Sequence, residues 1–341
     1  MGVFDDKVVG GRGSVRGDGV MGPPVGTHEF TGPVHAVFGR TSDGDPVAMV
    51  DENGDVVWEF GDHDGEVRTV ATDADSNVYF GSGPDAYKLD ADGEMAWHHD
   101  GGLGWRNEVC AVSENALYLG EQFAGGGENQ VFAVNLNGDL IWQSSDDIFD
   151  NDVASIDVSA SGIVAVGTGG SGDDVLRLLS GDSGDVLHTL TISAHVRAVA
   201  IEPDASVIYY NQGSTLYARS GDLGSQLWSY DAHDGIIRGV TIDDNHVYSC
   251  GSDGTAHKLK KGEGLENDES RRVWSYDSDA STIHGISVDP HKFVYLATSS
   301  STVSGEKISP DGEFVWSVDL DSAALDVQST PGRYGAFPDH W

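Results

Sequence analysis

The chain has 341 residues, 38% of them hydrophobic and 22% charged, with 46 glycines. That is enough apolar material for a sizeable core, and so much glycine calls for many tight turns, a balance that leans toward β structure. Fifty-six acidic against 19 basic residues give a formal net charge of -37, which excludes double-stranded nucleic acid as a direct partner because phosphate affinity rests on clustered Lys and Arg.

Residues 1–34 come first and stand outside every pattern that follows. They hold nine glycines, scattered apolar side chains and three of the basic residues. Such a segment cannot bury a core of its own, so it reads as an arm ordered against another surface, with Phe4, Lys7, Arg12, Arg16 and Met21 as its candidate contacts. Arg16-Gly17-Asp18 matches an adhesion tripeptide but reads as a coincidence of composition. Met1 to Asp6 show no basic stretch leading into an apolar one, and nowhere do about 18 apolar residues run together. Neither a secretion signal nor membrane insertion is expected.

From residue 35 to 330 one motif recurs, a glycine followed four residues later by tryptophan: Gly54 to Trp58, Gly93 to Trp97, Gly138 to Trp142, Gly224 to Trp228 and Gly312 to Trp316. Two copies are degenerate, His188 standing where Trp is expected after Gly184, and Trp274 lacking its glycine. The column 58, 97, 142, 188, 228, 274 and 316 steps by 39, 45, 46, 40, 46 and 42 residues, the period of a propeller blade. Each unit reads as four short strands, the second unit giving Val67–Thr72, Val78–Phe80, Ala86–Leu89 and Glu94–Trp97 between Gly, Asp and Asn turns. The second strand returns as Leu117–Leu119, Ile163–Val166, Val207–Tyr210, Val247–Ser249 and Val294–Leu296, rich in β-branched and aromatic residues.

The first unit supplies only three strands, Ala36–Phe38, Val47–Val50 and Val56–Trp58. A spare one sits at the other end of the chain: Ala324 to Ser329 aligns with Glu66 to Ala71 and with His195 to Ala200. The expected fold is therefore all-β, a seven-bladed β-propeller of four-stranded blades, with the C-terminal strand closing the ring and removing its open edges. Residues 331–341 are left as a tail. Cys110 and Cys250 fall inside strands of different units and read as buried thiols.

The units, Val78-Tyr79-Phe80-Gly81-Ser82, then Tyr87-Lys88-Leu89-Asp90-Ala91-Asp92-Gly93, then Ala96-Trp97, resemble the repeats of quinoprotein-dehydrogenase-type propellers, in the same broad class as WD-repeat proteins. The resemblance covers roughly residues 35 to 330 and implies the fold; the architecture hosts enzymes, scaffolds and binders alike. Quinone-dependent enzymes of that type, as the resemblance implies, use an adjacent cysteine pair and acidic calcium ligands, and Cys110 and Cys250 are not adjacent. The Asp-rich, Lys-poor composition resembles that of proteins from extremely halophilic archaea or their viruses, since this charge density repels itself unless concentrated salt screens it.

No His-Glu-x-x-His, Gly-x-Ser-x-Gly or Gly-Lys-Ser/Thr signature is present, and Gly167, Gly169, Gly170 and Gly172 belong to an inter-strand loop instead of opening a helix. Asp51-x-Asn53-x-Asp55 and Asp73-x-Asp75-x-Asn77 alternate oxygen ligands as calcium loops do. Neither has the downstream Glu, and both read as ordinary Asx-rich turns. No metal or cofactor is expected. Stacking the innermost strands gives a different candidate, a column of Arg68, Cys110, Ala154, Arg197, Arg238, His284 and Leu325, four of which can carry positive charge. That column opens on one face near the central channel, where the loops entering the innermost strands add Trp105, Arg106, His63 and His233, the last two inside a repeated His-Asp-Gly. Either these arginines pair with neighbours such as Asp64 and Asp234 to tie blades together, or they form a binding rim.

The sequence thus predicts a non-enzymatic binding propeller whose partners are other proteins of an assembly or an anionic cell-surface glycan. The expected setting is a haloarchaeal virus particle, as a structural or decorating component of its capsid or tail with a role in host attachment. The alternatives are a cellular scaffold propeller of a haloarchaeon and a quinone-dependent dehydrogenase-like enzyme.

Overall fold

The computed structural model describes residues 34–40, 47–63, 65–99, 107–121, 130–145, 148–170, 174–231, 233–262 and 270–330. Among them lie twenty-eight strands and no helix, arranged as seven four-stranded antiparallel sheets. Each sheet is a blade, and the innermost strands of successive blades lie against one another all the way round. Blade two is representative, running outward through Val67–Thr72, Val78–Ser82, Asp85–Leu89 and Met95–His99. Closure follows the expectation. The last strand, Ala324–Thr330, pairs antiparallel with His35–Arg40 from His35↔Thr330 to Arg40↔Ala324, and so becomes the innermost strand of blade one.

The glycine-tryptophan spacing turns out to work between blades, not within one. Each indole leans onto the third turn of the following blade, where Trp58 Nε1 donates to Ala91 O at 3.1 Å, Trp97 to Leu136 O at 2.9 Å and Trp142 to Gly181 O at 2.7 Å. Trp316 donates to Glu52 O at 2.8 Å, carrying the same interlock across the closure from blade seven to blade one. The glycine of that turn lies under the ring. At Gly93 the backbone has φ +83°, and a Cβ there would stand 2.7 Å from Trp58 Cδ2, so both conformation and space demand glycine. Gly54, Gly138, Gly184 and Gly312 meet their indoles in the same way.

The two degenerate copies are compensated. Blade four offers His188 in place of an indole, and the blade-five turn answers with Leu223, which takes the left-handed conformation (φ 58°) and packs into an apolar cluster with Leu176 and Leu178 of blade four. In blade six no glycine among the described residues lies beneath Trp228, and there the fully buried Arg271 guanidinium stacks on the indole, 4.1 Å from its centroid. A desolvated contact of this kind contributes about 2 kcal/mol. A tyrosine on the second strand braces several indoles from inside: Tyr79, Tyr118, Tyr209, Tyr248 and Tyr295 each pack on the Trp of their own blade.

Lysine, scarce in the sequence, is spent between blades. Lys88, Lys258 and Lys307 lie over Tyr79, Tyr248 and Tyr295 and donate to Leu136 O, Pro310 O and Glu52 O of the next blade. Acidic turn residues serve the chain itself. Asp73 Oδ1 accepts from the Asp75 and Asn77 amides at 3.0 and 2.9 Å, while Oδ2 accepts from Asn77 Nδ2 and Tyr79 Oη. Asp51 holds the amides of Asn53 and Asp55 similarly. Both sequences are therefore self-capped turns. Cys110 and Cys250 are buried free thiols, and burial raises the pKa of each.

Candidate binding site at the channel mouth

The innermost strands share one irregularity near their start. Register shifts fall at residues 68, 108, 154, 238, 284 and 325, each the second position of its strand. A bulge leaves one residue out of the ladder and re-aims its side chain. In blade five the ladder begins later, and the Asn211 side-chain oxygen takes the amides of Arg197 and Ala198 at 2.8 and 3.0 Å instead, fixing Arg197 in the equivalent place. The sequence column is thereby gathered at one end of the channel, around a cavity of about 260 Å³ lined by Arg68, Ala154, Arg197, Arg238, His284 and Leu325. One member changes. Cys110 pairs with Leu119 just as Val70 pairs with Phe80, so the blade-three counterpart of Arg68 is Glu108, and Cys110 lies two residues further along the channel wall.

The charges of this mouth are unequally compensated. Arg68 is held by Glu66, with Nη2 to Oε2 at 2.5 Å and Nε to the same oxygen at 2.8 Å. Arg197 and Arg238 have no acid within ion-pair distance among the described residues, and the Nε of Arg238 is buried without an acceptor. Burial lowers the Arg238 pKa, with the neighbouring Arg197 charge acting in the same direction; a guanidinium nevertheless stays protonated. His284 is not a fourth cation. Burial first, then Arg238 and Arg68, push its pKa down to about 4, leaving a neutral ring with one donor and one acceptor at neutral pH.

An acid missed in the sequence lies on the same wall. Asp326 lines the cavity, and its Oδ2 and Oδ1 accept from the amides of Val70 (3.0 Å) and Val327 (2.8 Å). Burial nevertheless raises its carboxyl to about 7. The available signal was its neighbour in the ring: a Cβ on Gly285 would stand 2.9 Å from Asp326 Oδ1, so the glycine at that position makes room for the carboxylate.

His63 and His233 are placed elsewhere, inside their blades. His233 is buried with Nε2 3.0 Å from Ser249 Oγ and Nδ1 3.1 Å from both oxygens of Asp253, whose carboxylate also takes the Asp234 and Gly235 amides. His63 sits among Phe60, Phe80 and Tyr87 with Nδ1 near Gly65 O and Ser82 Oγ. The histidine of each His-Asp-Gly is thus a buried staple between the entering loop and the end of the second strand. Although the order Asp253, His233, Ser249 imitates a nucleophilic triad, Ser249 is fully buried, and no substrate carbonyl can approach its hydroxyl. Trp105 and Arg106, the arm residues Phe4, Lys7, Arg12, Arg16 and Met21, and Asp64 lie outside the described residues.

A closed seven-bladed ring of four-stranded antiparallel blades defines the class, an all-β propeller. The family described as outer membrane protein assembly factor BamB matches residues 25–148 and 171–331, and the chain belongs to that family. The repeat resemblance therefore holds at the level of a PQQ-like, WD-like propeller. Among solved structures, the WD40 propeller domain of Doa1 is 15% identical, with 87% of this chain and 90% of that one covered at a TM-score of 0.62. The propeller domain of Myceliophteria thermophila Cps50 (Swd1) is 10% identical over 76% and 88% of the two chains, also at 0.62. The computationally designed Ika8 protein is 16% identical over 86% and 90%, at 0.60. At these identities the likeness is one of fold. No curated protein matches the chain.

Proposed function

We propose that this chain is a non-catalytic interaction propeller, a component of a larger assembly, which receives an anionic group of its partner at the channel mouth. The observation that carries this reading is the Arg197 and Arg238 pair, two guanidiniums converging on one cavity with no close ion pair to either among the described residues, Asp174 acting on Arg197 only at longer range. Buried or half-buried cations are ordinarily paired, and a partner's carboxylate or sulfate supplies what is missing. In molar salt the screening distance is only about 3 Å, so such a group is held by direct hydrogen bonds and not by long-range attraction.

The proposed setting is a particle of a haloarchaeal virus, where the acidic surface suits the host's salt and the Gly-rich arm contacts a neighbouring subunit. A cellular scaffold is the second reading, favoured by the family's description as an assembly factor. Mass spectrometry of purified particles and of cell fractions separates the two. The binding reading itself is tested with a tetra-aspartate peptide at constant molar salt. Each lost charge-assisted bond is worth about 1.5–3 kcal/mol, so Arg197→Gln with Arg238→Gln lowers affinity by more than about tenfold at an unchanged melting temperature. A double variant that unfolds shows instead that these arginines hold the blades together, and the reading fails.

A further inference from the structure

The cavity contains more than two arginines, and the rest of its wall narrows the chemistry it accepts. Each innermost strand is the last of its sheet, and its other edge is bonded only in part to the neighbouring blade, as at Val70 N to Asp326, Cys110 N to Thr69 and Ile201 N to Asp157, so the remaining main-chain N–H and C=O groups face the channel. Asp326 and Gln328 add side-chain polar groups to the same lining, whereas the Thr69 and Ser155 hydroxyls are already bonded to Cys110 and to Val196 O. The neutral His284 ring contributes one donor and one acceptor. An aliphatic ligand would offer nothing to the two guanidiniums, the imidazole or the open main-chain edges. A ligand with several charges on one group would concentrate them against Asp326 in a molecule of net charge -37, and a neutral sugar would bring no carboxylate to the guanidiniums.

We propose that the group received at this mouth is an acidic sugar, one carboxylate on a hydroxyl-bearing ring, with Arg197 and Arg238 holding the carboxylate while Asp326, Gln328, His284 and the innermost strand edges take the hydroxyls. The proposal rests on the binding reading above and sharpens it. Arginine suits the carboxylate because its planar fork can engage both oxygens. Hydroxyls suit the remainder because each is both donor and acceptor, as a wall of mixed main-chain edges requires.

The test is a titration at constant molar salt with glucuronate, glucose, acetate and a short oligouronate, followed by the His284 ring signals in NMR and by calorimetry. Glucuronate is expected to bind at least about tenfold more tightly than either acetate or glucose, since each lacks one half of the matched groups. Arg197→Gln and Arg238→Gln should each remove the advantage over glucose. If Arg238→Gln does not fold, Arg238→Lys keeps the charge without the fork and should weaken glucuronate while leaving the melting temperature in place. An oligouronate tighter than the monomer identifies a glycan chain as the source, and equal affinity a free acidic sugar; both uphold the proposal. Acetate binding as well as glucuronate overturns the sugar while leaving the anion site standing. If neither uronate, acetate nor the aspartate peptide moves the His284 signals, the binding reading falls with it.

Discussion

Gly93→Ala tests the interlock between blades. The variant must adopt φ +83° with a side chain, which costs about 1–2 kcal/mol for a left-handed L-residue. Its new methyl would also stand 2.7 Å from Trp58 Cδ2 and 2.9 Å from Cγ, and overpacking of that kind costs about 1–3 kcal/mol more. Gly162 supplies the control, because it has φ +77° with nothing within 4 Å of a built Cβ. Gly162→Ala should therefore lose only the backbone part, about 1–2 kcal/mol, against about 2–5 kcal/mol for Gly93→Ala. In a Trp58→Ala background the indole is gone, and the effect of Gly93→Ala should fall back to that of Gly162→Ala. Urea unfolding at fixed molar salt reads all four variants. Equal losses at the two glycines, or a Gly93 effect indifferent to Trp58, would refute the account of why glycine and tryptophan recur together.

Moving from molar to about 0.01 M salt lengthens the screening distance from about 3 to 30 Å, so a chain of net charge -37 should melt at a lower temperature; a flat profile across sodium, potassium and magnesium series would remove the case for a salt-adapted surface. His284 and Asp326 should pull stability in opposite directions with pH. The depressed His284 pKa, about 4 against 6.5, contributes stability that is present above pH 6.5 and lost as pH falls through 4, whereas the raised Asp326 pKa, about 7 against 3.8, contributes stability that is present below pH 3.8 and lost as pH rises through 7. Relative to the parent, His284→Gln should thus lose less stability on acidification, and melting curves that run parallel at every pH would contradict the assignment. Because the Arg238 charge helps depress His284, Arg238→Gln should raise the imidazole pKa in an NMR titration. Deleting residues 2 to 28 should leave a folded, salt-stable propeller that no longer enters its assembly, and normal incorporation of the truncated chain would end the role proposed for the arm.

The blade count was legible because the Trp column marks an event that every blade performs, docking on the next. Its exceptions were visible only as losses. That Leu223 and Arg271 take the place of the missing contacts depends on the neighbouring blade, some 35 to 45 residues away in the chain, and no local pattern announces it. The arginine column was legible for a similar reason, since one register position repeats around the ring. Cys110 entered it wrongly because a slip of two residues preserves the alternation of faces, and only the pairing of Val109 with Gly120 fixes the register. His63 and His233 were correctly placed on entering loops, yet their direction is set by Ser82 and by Ser249 with Asp253, partners that the loops themselves do not encode.

The pairing of His35–Arg40 with Ala324–Thr330 also sets an order of events during synthesis. A ribosome adds roughly 5–20 residues per second, so blades two to seven can form one after another while blade one waits, with three strands and a vacant inner edge, on the order of tens of seconds for its last strand. Until then blade seven meets blade one only through side-chain packing, such as Phe38 with Tyr295 and Val318, and through Trp316 and Lys307, which both donate to Glu52 O. A product lacking Ala324–Thr330 would leave the His35–Arg40 edge unpaired, a natural target for proteases and for pairing with other chains.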